Sequence, residues 1–122
     1  MAYDEELSDR LRVELEGIMG ISEKRMMGGL CFFLDGNMLA GAHRIKSEEP
    51  RFMFRVGKDN EAEALGREGA EIVELGGRRM GGLVFVAAEM CDQATLREWI
   101  SLSMSFVAGL PAKELKGKVL RS

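Results

Sequence analysis

The chain has 122 residues, 46% hydrophobic and 30% charged, which fits one domain with a buried core and excludes a disordered polymer or a fibre. Seventeen Lys and Arg against twenty Asp and Glu give a formal net charge of −3, which argues against general nucleic-acid binding, since that affinity rests on surplus cations. The longest apolar runs, Leu30–Leu34 and Leu83–Ala88, hold five and six residues, far short of the roughly 20 needed to cross a bilayer.

In chain order, Leu7, Leu11, Leu15 and Ile18 recur at spacings of 4, 4 and 3 among charged residues, which predicts an amphipathic helix over Asp4–Met19. Asp4 caps its start, and Gly17 and Gly20 bracket its end. Leu30–Leu34, Asp35-Gly36 and Asn37–Ala40 read as two strands joined by a tight turn, because an Asp-Gly pair tolerates the positive φ of hairpin turns. After the polar loop Lys46–Pro50, the alternation in Arg51–Val56 puts Phe52, Phe54 and Val56 on one face and Arg51, Met53 and Arg55 on the other. That second face is expected to be solvated. Asp59 is placed to cap a short helix over Asn60–Arg67, with Ala62 and Leu65 inward. Ile72-Val73 and Leu83–Val86, separated by the turn-forming Gly76-Gly77-Arg78-Arg79, predict a second hairpin. Asp92 opens a last helix with Leu96, Trp99, Ile100 and Val107 inward, and Gly109 and Pro111 stop it.

The order α-β-β-β-α-β-β-α predicts an α+β fold over residues 1–111, a two-layer sandwich of an antiparallel β-sheet with helices packed on one face. Residues 112–122 carry Lys113, Lys116, Lys118 and Arg121 against Glu114 alone and read as a basic tail. At the other end, Met1–Glu6 is acidic where a signal peptide needs a positive segment and then an apolar one, so the expected location is cytoplasmic.

Cys31, Cys91 and the single His43 are too few for a disulfide scaffold or a tetrahedral zinc site, so neither a metal nor a cofactor is expected. A two-residue turn at Asp35-Gly36 pairs Cys31 with Ala40 and puts His43 on the opposite face. A three-residue loop pairs Cys31 with Gly41 and brings His43 to the same face, near the limit of side-chain contact. Cys31, among Leu30, Phe32 and Phe33, reads as a buried structural thiol, and Cys91 as a partly exposed loop thiol. No carboxylate pair is pinned at a spacing for acid–base chemistry, and no catalytic residue is expected.

An internal echo stands out: Arg25–Phe32 recurs 53 residues later as Arg78–Phe85, with six of eight positions matching. Each copy contains a Met-Gly-Gly step, which suits a bulge or a close backbone approach, or an anion held by backbone amides beside Lys24, Arg25, Arg78 and Arg79. The first copy, with Lys24, then Asp35-Gly36-Asn37-Met38, Arg55-Val56-Gly57, Gly77–Val86 and the Trp99 helix ending near Leu110-Pro111, resembles the N-terminal domain of the TfoX/Sxy family of competence regulators, over about residues 3–112. The resemblance implies a two-layer α+β fold similar to the type III secretion chaperones, and a regulatory protein without a known catalytic site. Members with the full architecture add a C-terminal helical domain and act with a cyclic-AMP-responsive activator on competence genes. This sequence ends at Ser122, so a stand-alone first domain is expected.

The resulting expectation is a non-enzymatic regulatory or protein-interaction module. Its candidate surface comprises Lys24, Arg25, Gly28, Gly29, Arg51, Met53, Arg55, Arg78, Arg79, Gly81 and Gly82. The expected partner is a protein of the transcription machinery or a regulator, with a second copy of the chain as a further possibility; no membrane contact and no direct nucleic-acid binding are expected. Two alternatives stand beside it: a small-molecule or anion sensor at the basic Gly-Gly bends, and a DNA-associated factor acting through the basic tail.

Overall fold

Apolar side chains at helical spacing near the N-terminus produce α1, Glu5–Leu15, with Leu7, Leu11 and Leu15 buried. The computed structural model describes residues 5–26, 29–43 and 50–112. Asp4, Gly28, the loop residues 46–49 and the basic residues from Lys113 onward lie outside them. Helix α1 stops short of the expected Met19, and Gly17, at a φ of 88°, turns the chain away.

Among the described residues six strands follow: β1 (Ile21–Met26), β2 (Gly29–Leu34), β3 (Asn37–His43), β4 (Arg51–Arg55), β5 (Ala70–Leu75) and β6 (Arg78–Ala87). All pair antiparallel in one sheet of order β1-β2-β3-β4-β6-β5. Between β4 and β5 a 3₁₀ turn, Lys58–Asn60, runs into α2 (Glu61–Leu65), and α3 (Gln93–Val107) follows β6 after a second 3₁₀ turn, Ala88–Met90. The order is the expected one with β1 added.

Both predicted hairpins form. Asp35 and Gly36 have φ of 50° and 84°, and Gly76 and Gly77 have 60° and 80°, the positive values that a type I′ turn needs at both central residues. Arg78 and Arg79, expected in that second turn, lie in β6 instead. At the last helix Asp92 caps as expected, its side chain accepting the Thr95 amide at 2.8 Å. Asp59 does not cap α2; it sits inside the 3₁₀ turn, and Asn60 takes the N-cap place without a side-chain bond.

A bulge sets the register of the central strands. Leu34 pairs with Asn37 and Phe33 with Met38, but Phe32 pairs with Ala40, so Leu39 is the extra residue. Its insertion sends both Leu39 and Ala40 into the core, each fully buried. Cys31 consequently faces Gly41, and His43 comes to the same face as Cys31 although the turn itself has two residues.

The three α-helices of the described residues lie on one side of the sheet. Leu7, Leu11 and Leu15 of α1, Ala64 of α2, and Leu96, Trp99, Ile100 and Val107 of α3 pack with Phe32, Phe52, Phe54, Val84 and Val86 of the strands. Trp99 stacks on Phe54 with ring centroids 5.4 Å apart and planes 9° from parallel, a geometry that adds about 1 kcal/mol to burial alone. Arg10 ties α1 to the start of α3, donating to Gln93 Oε1 at 3.0 Å and to the Cys91 carbonyl at 2.5 Å, with its guanidinium over the Phe52 ring. Asn37 Nδ2 donates to the Pro111 carbonyl at 2.8 Å and fixes the chain after α3 to the first residue of β3.

Candidate functional site

The face of the sheet opposite the helices carries its own apolar layer. Register places Lys24, Cys31, Gly41, Met53, Phe85 and Glu71 in one row across all six strands. Cys31, Met53 and Phe85 are buried there with Val73 and Leu83, and half-buried Met26, Phe33, Met38 and Met80 pack on them. Among the described residues, no helix contributes to this cluster. The expectation that Met53 points into solvent is therefore corrected: it is 1% exposed. Its neighbours on the row come from strands distant in sequence, and Gly41, lacking a side chain, leaves the space between Cys31 and Met53 open to them.

Arg51 does lie on this face, as its alternation predicts. It is half-buried, its guanidinium 3.7 Å from the Phe85 ring centroid, a cation–π contact, and His43 lies 5.2 Å from the same ring. Lys24 and Arg78 are exposed at the border of the layer, on strands β1 and β6 that also contribute Met26 and Met80 to it. Arg25 is exposed on β1 but, by register with Leu30 and Ala42, belongs to the helix side.

The two Met-Gly-Gly steps are not equivalent. The first ends at Gly29, which opens β2, whereas Gly81 and Gly82 lie within β6 at an irregular pairing between Ile72↔Val84 and Glu74↔Arg79. Leu30 faces the helices and Leu83 faces away from them. The β1 and β6 strands are four places apart in the sheet, about 19 Å along it, so Lys24 and Arg25 do not share a site with Arg78 and Arg79.

Gly82 is a backbone crossing point. Its φ is +82°, its carbonyl accepts the Val56 and Gly57 amides at 2.9 and 3.1 Å, and a Cβ there would stand 3.3 Å from Gly57 C and Lys58 N. The expected bend with a closely approaching backbone is present here. The anion at this bend is internal: Glu61 accepts from the Gly82 amide at 3.3 Å and from Arg79 at 2.6 Å. Arg79 and this amide hold the Glu61 carboxyl below the usual carboxylate range. Beside the crossing, Arg55, Gly57, Lys58, Asp59, Gly81, Gly82 and Phe106 line a pocket of about 320 Å³. Of the sequence-predicted surface residues, this pocket unites Arg55, Gly81 and Gly82. Lys58 and Phe106 are not among the sequence-predicted residues; the Gly57-Lys58 step after a strand points to the first, and Phe106 reaches the pocket only through the packing of α3 on Gly57.

Among the described residues, both thiols are buried and two further carboxylates are held by arginines. Burial pushes the Cys31 thiol up to about 11 and the Cys91 thiol to about 11. Cys91 is fully buried and not the partly exposed thiol expected, because the Ala88–Met90 turn draws it under α1, where Arg10 binds its carbonyl. Glu14 is paired with Arg97 at 3.0 Å and Glu23 with Arg12 at 2.7 Å, and each carboxyl is lowered by its arginine. A wider groove of about 750 Å³ runs along α3 between Arg67, Trp99 and Ser105 and holds none of the predicted residues.

Among the described residues these features define a two-layer α+β domain with one helix-covered and one helix-free sheet face. The chain belongs to the TfoX N-terminal domain family, whose pattern matches residues 14–107 and so covers most of it. That membership supports a regulatory-domain kind of role. No curated protein and no solved structure matches the chain. No helix among the described residues is long and apolar enough to cross a membrane.

Proposed function

We propose that this regulatory domain is non-enzymatic and acts by holding a partner protein against the helix-free face of its sheet. The observation that carries this reading is the apolar layer of Cys31, Met53, Val73, Leu83 and Phe85, with Met26, Met38 and Met80 on its surface and no helix over it among the described residues. Methionine side chains are flexible and polarizable, so a layer of them re-packs around different apolar side chains at small cost. Lys24, Arg51 and Arg78 border the layer and Glu71 is the one carboxylate on the central row, so the complementary partner is an acidic segment with apolar anchors. A second copy would bring like charges together at the same face, which disfavours it as the occupant. Thiols held protonated and carboxylates engaged by arginines favour binding over catalysis.

The test is affinity capture from the source cell with the native chain and with the double variant Lys24→Glu, Arg78→Glu, both residues being exposed. A protein retained in stoichiometric amount by the native chain and lost by a folded double variant is the expected result. Equal capture by both would refute the assignment of this face. Sedimentation of the chain alone gives the expected monomer mass, and a dimer broken by the same substitutions would replace the acidic partner with a second copy.

A further inference from the structure

We propose that the pocket beside the Gly57–Gly82 crossing is a second, separate site, which binds a small organic anion: a carboxylate or phosphate ester joined to a flat apolar body. The inference does not depend on the partner-protein reading, because the pocket lies beside the 3₁₀ turn and the Phe106 end of α3 and shares no residue with the apolar layer.

The pocket floor is hydrogen-bonded backbone. Gly57 and Gly82, at φ of +87° and +82°, bring two main chains into van der Waals contact, and two amides converge on the Gly82 carbonyl. A side chain at either glycine would be strained by the backbone conformation and, at Gly57, would also run into the Phe106 ring. At about 320 Å³ the cavity is at the small end of the range for ligand pockets, the size for a small aromatic acid.

Charge selects the sign of the ligand. Counting the charged groups at the pocket and immediately beside it, Arg55, Lys58 and Arg79 stand against Asp59 and Glu61, a formal balance of +1, with Glu61 paired to Arg79 and within Coulombic reach of Lys58. The Lys58 ammonium has no hydrogen bond or ion pair among the described residues, and its chain lies along Gly81. Among the described residues Arg55 makes one long hydrogen bond, 3.5 Å to the Met38 carbonyl, which leaves most of its five donors unspent there. Glu61 already occupies the Gly82 amide, so an incoming anion is recognised by the two side chains and not by the backbone. The Arg55 guanidinium lies 5.5 Å from the Phe106 ring centroid, so an anion on Arg55 places its attached body near an aromatic surface. This pairing of a planar cation with a ring favours a flat ligand over a bare ion.

The test is a ¹H–¹⁵N NMR titration of the whole chain with phenyl phosphate and with benzoate, against benzyl alcohol and inorganic phosphate at matched ionic strength. The expected result is saturable shifts centred on the Gly57, Lys58, Gly81 and Gly82 amides with at least one aromatic anion, and weaker binding of both controls. Comparing phenyl phosphate with benzoate identifies which anionic group the site prefers. Arg55→Gln weakens the response by about tenfold or more, as loss of a charge-assisted bond requires. Gly81→Leu, at a position without positive φ and facing only the flexible Lys58 chain, fills the wall and abolishes the response while amides outside the pocket keep their shifts. The second variant keeps the test decisive should Arg55→Gln disturb folding. Equal response to benzyl alcohol, equal response to inorganic phosphate, or binding unchanged in Gly81→Leu would each overturn the proposal.

Discussion

The close approach at Gly82 makes a prediction about stability that separates strain from crowding. Alanine at 82 must adopt a φ near +82°, which costs an L-residue about 1–2 kcal/mol, and a stiffer unfolded chain returns about 0.4–1 kcal/mol. Its Cβ would stand 3.3 Å from Gly57 C and Lys58 N and 3.4 Å from Gly57 Cα, all backbone atoms that have no rotamer to swing away. Displacing them stretches the Val56 and Gly57 amide bonds to the Gly82 carbonyl, each worth about 1 kcal/mol net. Gly77→Ala is the control, since its φ is +80° with nothing within 4 Å of the added carbon. Urea denaturation should then show Gly77→Ala losing about 1 kcal/mol and Gly82→Ala about 2–3 kcal/mol, with equal slopes. Equal losses, or a milder effect at Gly82, would refute the argument that two backbones meet there.

Three further outcomes follow from packing and charge. Arg10→Ala removes the bonds to Gln93 and the Cys91 carbonyl together with the contact on Phe52, and is expected to cost about 1–3 kcal/mol in chemical denaturation; an unchanged midpoint would contradict the α1–α3 clasp. Glu14, Glu23 and Glu61 have folded pKa values lowered by Arg97, Arg12 and Arg79 respectively, so their stabilisation is complete above the unfolded value near pH 4.3 and is lost as pH falls through the lower folded values. Thermal melts should accordingly drop on acidification below about pH 4, less steeply in Glu23→Gln, and a rise would reverse the sign of the account. With thiols pushed to about 11 and buried, Cys31 and Cys91 should react with a disulfide reagent at neutral pH only as fast as the chain opens; labelling of either at the unfolded rate would contradict the packing around it.

Local chemistry was legible where a few adjacent residues dictate it. The two type I′ turns follow from Asp35-Gly36 and Gly76-Gly77, the last helix cap from Asp92, and the β4 alternation from Phe52 and Phe54. Strand β1 was not legible: Ser22, Glu23, Lys24 and Arg25 give no apolar alternation, because an edge strand carries charges that discourage pairing with other chains. Nor does any residue type announce the Leu39 bulge, which alone moves Cys31 opposite Gly41 and His43 to the same face. Met53 shows why the second face is not legible from local sequence. Flanking arginines made its surroundings look wet, while burial came from Cys31 and Phe85, which only the β2-β3-β4-β6 order brings beside it. The pocket is equally non-local, since β4 pairs with β6 and not with β5, and this sets Gly57 against Gly82.

The central claim, that the helix-free face receives the partner, is tested most directly by methionine-oxidation footprinting of the chain alone and in complex with the captured protein. Met19 is 88% exposed and outside the apolar layer, so it serves as the internal reference. The account predicts that oxidation of Met26, Met38 and Met80 slows in the complex while Met19 keeps its rate. Unchanged oxidation of those three, with protection appearing instead at Met19 or at Met90 and Met104 on the helix side, would contradict it.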